Sequence, residues 1–337
     1  MPGTKKSRRV TIDDVARSAG VSRQTVSRAI NDKAEIDPET RRRVLQVAQE
    51  MGYRPSRFAR GMVRQDVTTL GLIIADVLNP FFPEVVSGVL EAADQRGWQV
   101  VVYATGSEVD KELAVAESVP NHVDACVGFL LDTGAIDRIA ASGIPFVLLD
   151  RRGRTPGVAG VDIDFASGIR QGLDHLMAQG HRRIAMIDDH AHARPGTHNA
   201  RRELYLAFAA ERELPVDETW IQPAVNSMDG GAAAMDELLA AHPDVTAVFA
   251  YNDYIAIGAM RRAMRLGLAV PGNCAFLGFD GLAIGELVDP PLTTIHIDKR
   301  RLGHLAVEQV AAVMAAPQGT SVAAMTIDPK LVVRLST

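Results

Sequence analysis

Cysteine is scarce in this chain: two residues among 337, Cys126 and Cys274, each inside an apolar, strand-like run. Two thiols so placed form no zinc-binding spacing and no disulfide framework, and both read as small buried hydrophobes. Long apolar runs are missing as well, so no segment has the length of a membrane span. Lys5, Lys6, Arg8 and Arg9 imitate the basic start of a signal peptide, but Asp13 and Asp14 arrive where its apolar segment should follow. The expectation is a cytoplasmic protein with no membrane partner. No phosphate-binding GxxxxGK[ST] and no GxSxG nucleophile elbow occur. His190, His192 and His198 cluster with Asp188 and Asp189 in DDHAHARPGTHN, a composition that could ligate a metal. Pro195 and Gly196 after a strand-like run make a cleft-edge loop the simpler account, so neither metal nor cofactor is implied.

What the chain does carry is a segment, TIDDVARSAGVSRQTVSRAIN at 11–31, that reads as a helix-turn-helix. Thr11 is placed to cap a first helix whose apolar positions Ile12, Val15, Ala16 and Ala19 follow helical spacing. Gly20 can end that helix with positive φ, and Ser22 can cap the second. In the second helix Val26, Ala29 and Ile30 form one stripe. Arg23, Gln24, Ser27, Arg28 and Asn31 fall on the opposite face. Arg suits guanine bidentately and Gln suits adenine, while Ser and Asn are short polar partners. A solvated helical hairpin is the bland alternative.

A third helix should start at Asp37-Pro38 and end by Gly52, burying Val44, Ala48 and Met51. Arg41, Arg42 and Arg43 crowd its first turn, against the helix dipole, and suit either phosphate or solvent. Residues 1–65 hold 15 Lys and Arg against 7 Asp and Glu, a net of +8, whereas the remainder holds 21 against 34, a net of −13. A basic head on an acidic body focuses the field where DNA would bind.

Beyond residue 68, short β-rich runs alternate with amphipathic segments. Leu70–Ala75, Val100–Tyr103, Ala125–Leu131, Phe146–Leu149, Ile184–Ile187, Ala247–Ala250 and Ala275–Phe279 read as strands. The alternation predicts parallel, doubly wound sheets, two rather than one. Ligands in such sheets gather at the carboxyl ends of strands, where Asp150, Asn252, Asp253 and Asp280 stand. The carboxylates could serve acid–base chemistry, but ligand hydrogen bonding explains them without it.

Across essentially its whole length the chain resembles the lac/galactose/purine repressor family. The motifs that carry this are VTIDDVARSAGVSRQTVSRAIN, GYRPSRFARGM, TLGLIIADVLNPFFPEV, PFVLLDR, GHRRIAMI, AVFAYNDYIAIGAM, VPGNCAFLGFDG and PPLTTIHI. The resemblance implies an all-α helix-turn-helix headpiece at 1–54, a hinge helix and linker at 55–68, and a two-lobed, periplasmic-binding-protein-like α/β core at 69–337. Its lobes are expected at about 69–160 with 293–320, and at about 161–290 with 321–337. The implied function is transcription regulation, most often repression, switched by a small-molecule effector. An effector-binding protein that no longer regulates is the second reading.

By the same resemblance Arg23, Gln24 and Arg28 read bases, while Ser22, Thr25, Ser27 and Asn31 contact phosphates of double-stranded DNA. In the hinge, Arg60 touches backbone or minor groove. Met62 takes the place of a leucine that wedges into the operator centre, or packs on its own core as a linker residue. The family binds near-palindromic operators as a homodimer, and the chain stops after LVVRL without the leucine repeat that tetramerises some relatives. In the effector cleft Phe81 matches an apolar wall, and Asp150, Arg201, Asn252 and Asp280 match polar contacts. Arg201 is placed by its spacing from Trp220, with Arg202 adjacent. Asn226 and Arg151 stand where relatives carry a stacking aromatic ring and Trp. These departures point away from a purine and toward a sugar or sugar acid.

Overall fold

The computed structural model describes residues 12–30, 36–51, 67–150, 158–190, 200–317 and 320–337. The chain divides into two compact units, residues 1–67 and 68–337.

In the first unit three helices enclose a small apolar centre: α1 (Ile12–Ala19), α2 (Arg23–Ile30) and α3 (Pro38–Glu50). Val15, Ala16, Ala19, Val26, Ala29, Val44 and Ala48 are buried together, as the helical spacing predicts. Gly20 has φ +66°, and Val21 N–H donates to the Ala16 carbonyl at 3.0 Å, closing α1. The Ser22 hydroxyl accepts from Thr25 N–H at 3.0 Å, and Asp37 accepts from Thr40 N–H at 2.9 Å. The caps expected of Ser22 and Asp37 are therefore in place.

The second unit is built on two six-stranded sheets. The first contains β1 (Thr69–Ile74), β2 (Gln99–Ala104), β3 (Ala125–Gly128), β4 (Phe146–Leu149), β5 (Ala159–Ile163) and β11 (Met325–Ile327), in the order β11-β5-β4-β3-β1-β2. The second contains β6 (Ile184–Asp189), β7 (Ile221–Ala224), β8 (Ala247–Ala250), β9 (Ala275–Asp280), β10 (Thr293–His296) and β12 (Lys330–Val332), in the order β12-β10-β9-β8-β6-β7. Pairing is parallel except between β10 and β12. Successive residues feed opposite faces: Val127 joins one apolar cluster and Cys126 another, and Phe249 and Val248 divide likewise. Burial on both faces explains why the central strands read as continuous apolar runs. It also pushes the thiols of Cys126 and Cys274 upward, leaving them protonated and inert.

Helices α4 (Phe81–Asp94), α5 (Val109–Ser118) and α6 (Thr133–Ala141) belong to the first lobe. The second lobe carries α7 (Phe165–Ala178), α8 (Ala200–Glu211), α9 (Met228–Ala241), α10 (Asp253–Arg265) and the single turn α11 (Ile284–Leu287). Last comes α12 (Lys299–Ala315), which packs on α4 in the first lobe.

The lobe division differs from the expected one at three places. β5 lies wholly in the first sheet, β10 pairs with β9 in the second, and β11 returns to the first beside β5. The chain thus crosses between lobes at 163–165, 296–299 and 327–330. The approximate boundaries near 160, 293 and 320 move to these crossings because ladder pairing, which carries β10 to completion before α12 begins, is not written in local pattern. Ala125–Leu131 is also a shorter strand than expected. Beyond Gly128 the chain leaves the sheet, and Glu112 accepts hydrogen bonds from Leu131 N–H and Asp132 N–H at 3.0 and 2.8 Å.

Candidate functional site

On the headpiece, Ser22, Arg23 and Gln24 are exposed, and Thr25, Ser27 and Arg28 are half-buried on the flank of α2. Arg23 Nε lies 3.9 Å from Asp13 Oδ1. Ser22 Oγ and Thr25 Oγ1 are 2.8 Å apart, so these two hydroxyls partner each other as well as serving the cap. On α3, Arg42 and Arg43 are exposed and Arg41 is half-buried. Hydrogen bonds from Thr40, backbone first, hold the Asp37 carboxyl below its ordinary range, so the cap stays anionic beside this arginine run. Thr11, Asn31, Arg60 and Met62 lie outside the described residues, as do Arg151 and the segment holding His192 and His198.

In the core, a cavity of about 410 Å³ opens between the two lobes. Its walls come from the carboxyl ends of parallel strands: Ala75 and Asp76 after β1, Gly106 and Ser107 after β2, Phe129 and Leu131 after β3, and Asp150 after β4. The facing wall is Asp189 on β6, Val225 and Asn226 after β7, Tyr251 after β8 and Asp280 closing β9. This is where backbone termini and short loops of an α/β sheet leave room for a ligand.

One side of the cavity is aromatic. Phe81, Phe82 and Phe129 meet edge to face, with centroids 5.3–5.8 Å apart. Asn79 accepts from Phe81 N–H at 3.0 Å and so fixes the start of α4 against this wall. The opposite side is polar and organised by Arg201. Its guanidinium donates to Asp280 Oδ1 at 3.3 Å and to the Tyr251 carbonyl, and it sits 4.2–4.9 Å from the rings of Phe279, Tyr251 and Phe165. Three rings around one buried cation favour its charge without consuming its hydrogen-bond donors. Arg202 points elsewhere and pairs with Glu218, so of the two neighbouring arginines Arg201 is the one at the cleft.

Asp150 and Asp280 both have positive φ, 62° and 102°. Such strain at non-glycine residues persists only where the surroundings over-determine it. Burial pushes the Asp150 carboxyl up to about 7, with Arg201 pulling against it and Asp280 and Asp162 adding to it. Asp150 Oδ1 is shielded from solvent and has no hydrogen-bond partner among the described residues. Asp280 is raised to about 6 by burial, moderated by Arg201 and Lys299. Glu112, another wall residue, is also raised by burial.

The structure brings Phe81, Asp150, Arg201, Asn226 and Asp280 onto one cavity. Asn252 stands behind its wall. It caps α10 by accepting from Ile255 N–H at 3.0 Å and donates to Asn226 Oδ1 at 2.8 Å; Asn226 in turn donates to Asp189 Oδ2 at 2.9 Å. Sequence reasoning placed Asp189 in a cleft-edge loop, where it instead ends β6 at the cleft, and it missed Asn79, Ser107, Glu112 and Tyr251. Asp189 and Tyr251 sit at strand ends, the same signal that singled out Asp150 and Asp280. Glu112 lies within a helix and gives no such signal.

Residues 11–56 match the model for bacterial regulatory proteins of the lacI family, and residues 173–337 match that for a periplasmic binding protein-like domain. The HTH-type transcriptional regulator GalS of Salmonella typhimurium is 34% identical over 305 residues, covering 89% of this chain and 88% of that protein. The transcriptional regulator CelR of Thermobifida fusca is 33% identical over 328 residues, covering 93% and 95%. This chain belongs to the lacI family. Among solved structures, a CelR–cellobiose complex superposes with a TM-score of 0.71 at 29% identity, covering 98% of this chain and 100% of that one. The lac repressor dimer bound to operator and an anti-inducer superposes at 0.72 with 27% identity, covering 98% and 99%. As a lacI-family member the chain is a DNA-binding transcription regulator and not an enzyme, with a two-lobed effector core. Among the described residues, no helix is long and apolar enough to cross a membrane.

Proposed function

We propose that this regulator is a cytoplasmic homodimeric repressor of a near-palindromic operator, released or engaged by a sugar. The observation that carries the effector reading is the cavity itself. A wall of three phenyl rings suits the C–H face of a sugar, and opposite it stand carboxylates and amides that accept and donate to hydroxyls. Among the described residues, Asp76, Asp150, Asp189 and Asp280 line it against one arginine, Arg201, whose charge already faces Asp280. That balance favours a neutral sugar over a sugar acid, and the missing stacking ring at Asn226 disfavours a nucleobase. Arg23, Gln24 and Arg28 are proposed to read bases. Ser22, Thr25, Ser27 and Asn31, with Thr11 at the helix start, contact the backbone. Arg60 and Met62 act from the 55–68 hinge that joins headpiece 1–54 to the core.

Genomic DNA capture with sequencing tests this, run with and without a pool of sugars, sugar acids and nucleobases. One near-palindrome, altered in occupancy by neutral sugars, is expected. Diffuse, salt-sensitive recovery would remove the specific-regulator reading. A response to nucleobases alone would remove the sugar.

A further inference from the structure

The turn that ends β9 is held from three sides by polar side chains outside the cavity lining. Asp280 at φ 102° is followed by Gly281 at φ 67°. A Cβ on residue 281 would lie 2.3 Å from His296 Nδ1, so the second position accepts only glycine. Lys299, 1% exposed, donates from Nζ to the carbonyls of Asp280, Gly281 and Ile297 at 2.8, 3.1 and 3.3 Å. Thr294 accepts from Gly281 N–H at 3.2 Å and donates to Asp253 Oδ1 at 2.6 Å. Asp253, fully buried, accepts Leu282 N–H on its other oxygen at 2.6 Å. Two hydrogen bonds of the ammonium, one of the Thr294 hydroxyl and one carboxylate oxygen of Asp253 thus converge on three consecutive residues, 280–282. The side chain that this turn delivers to the cavity is that of Asp280.

The same lysine reaches the other lobe. It is the first residue of α12, which packs on α4, and there its ion-pair partner is Glu84 Oε1 at 3.5 Å. A buried lysine and a buried aspartate are a costly way to secure a turn, since apolar packing usually does as well or better for stability alone. What they supply is a fixed geometry.

We infer that Lys299, Thr294 and Asp253 are positioning residues for the effector response. They hold Asp280 in the backbone conformation that aims its carboxylate at Arg201 and the cavity, and Lys299 ties that conformation to the first lobe. This rests on the reading that the cleft takes the effector.

The test uses the ligand-free full-length protein, with Thr294→Val removing a hydroxyl without altering charge and Lys299→Met removing the ammonium. Hydrogen exchange at 280–283 should accelerate about five- to tenfold in Thr294→Val, which loses the hydroxyl's hydrogen bonds to Gly281 N–H and Asp253, while α9 keeps its parental rate. Lys299→Met should accelerate the same turn and also 81–86, and Lys299→Arg should restore both. In protein labelled at the aspartate carboxyl carbon, Thr294→Val should move the titration midpoint of Asp280, although it adds no charge. Parental exchange at 280–283 in Thr294→Val overturns the proposal. So does faster exchange with an unmoved Asp280 midpoint, which would leave a clamp of purely structural use. If Lys299→Met does not fold, Thr294→Val still decides. Asp280→Asn, assayed for operator release with cellobiose and lactose, addresses the effector reading separately. Release equal to the parent's would remove Asp280 from effector contact and leave the ligand-free measurements to judge the clamp.

Discussion

Asp150 shows how a single residue carries both strain and charge at this site. It occupies left-handed backbone space, and its carboxyl is pushed up to about 7 from an ordinary 3.8, chiefly by burial. A raised carboxyl keeps its proton in the folded state while the unfolded chain has already released it. Stability from this group is therefore highest below about pH 4 and falls as pH rises toward 7, with no further change above. Asp150→Asn removes that dependence. Urea denaturation across this range should show the parent losing stability relative to the variant as pH rises; parallel curves would mean the carboxyl is not held protonated. On the headpiece, Arg28→Ala should cost about 1–3 kcal/mol on the operator and relax preference at one base pair if the residue reads a base. Binding-site selection with the variant checks this. A uniform loss over all sequences would make Arg28 a phosphate contact.

At the scale of elements, much was legible because the informative signals are local. Ser22 and Asp37 cap the helices that the spacing predicts, Gly20 ends α1, and all seven expected strands occur. β5, β7, β10, β11 and β12 went unread for physical reasons. β7 contains Pro223 at a sheet edge, β11 and β12 have three residues each, and none of these can be recognised before its neighbour is known. The cleft was legible where a polar residue follows an apolar strand, and illegible at Glu112, whose role depends on the packing of α5 against the loop after β3. The α4–α12 crossing was likewise invisible. Gly88 and Gly303 let the two helices approach until a Cβ on Gly88 would stand 2.1 Å from the Arg300 carbonyl, and one on Gly303 2.3 Å from that of Val85. Because the obstacles are backbone atoms, no rotamer change relieves them. Gly88→Ala should destabilise the core by about 1–3 kcal/mol through forced separation of the helices. Chemical denaturation followed by tryptophan fluorescence measures this, and a neutral result would show that the crossing can slide.

For the whole molecule, charge and the two-lobed core act on different terms of operator binding. The first 65 residues carry a net +8 and the rest −13, so attraction to phosphate is confined to the head. Affinity should fall linearly in log–log form with salt, each phosphate contact contributing a slope of roughly −0.9. Arg42 is exposed near the start of α3, and Arg42→Ala should reduce the slope by about one if it faces phosphate while leaving base preference intact. An unchanged slope would assign this run to solvent, the alternative its sequence leaves open. The proposed effector acts on the other term. It can shift the regulator only by its differential affinity for two states, typically about 1–3 kcal/mol, or 5–150-fold in operator affinity. The headpiece charges remain when it binds, so non-specific DNA affinity and its salt slope should stay constant while specific affinity changes. Fluorescence anisotropy with operator and scrambled duplexes over a salt series separates the two. An effector that weakened both duplexes equally would be acting on the headpiece's charge or exposure, and a switch seated in the cleft would then have to be abandoned.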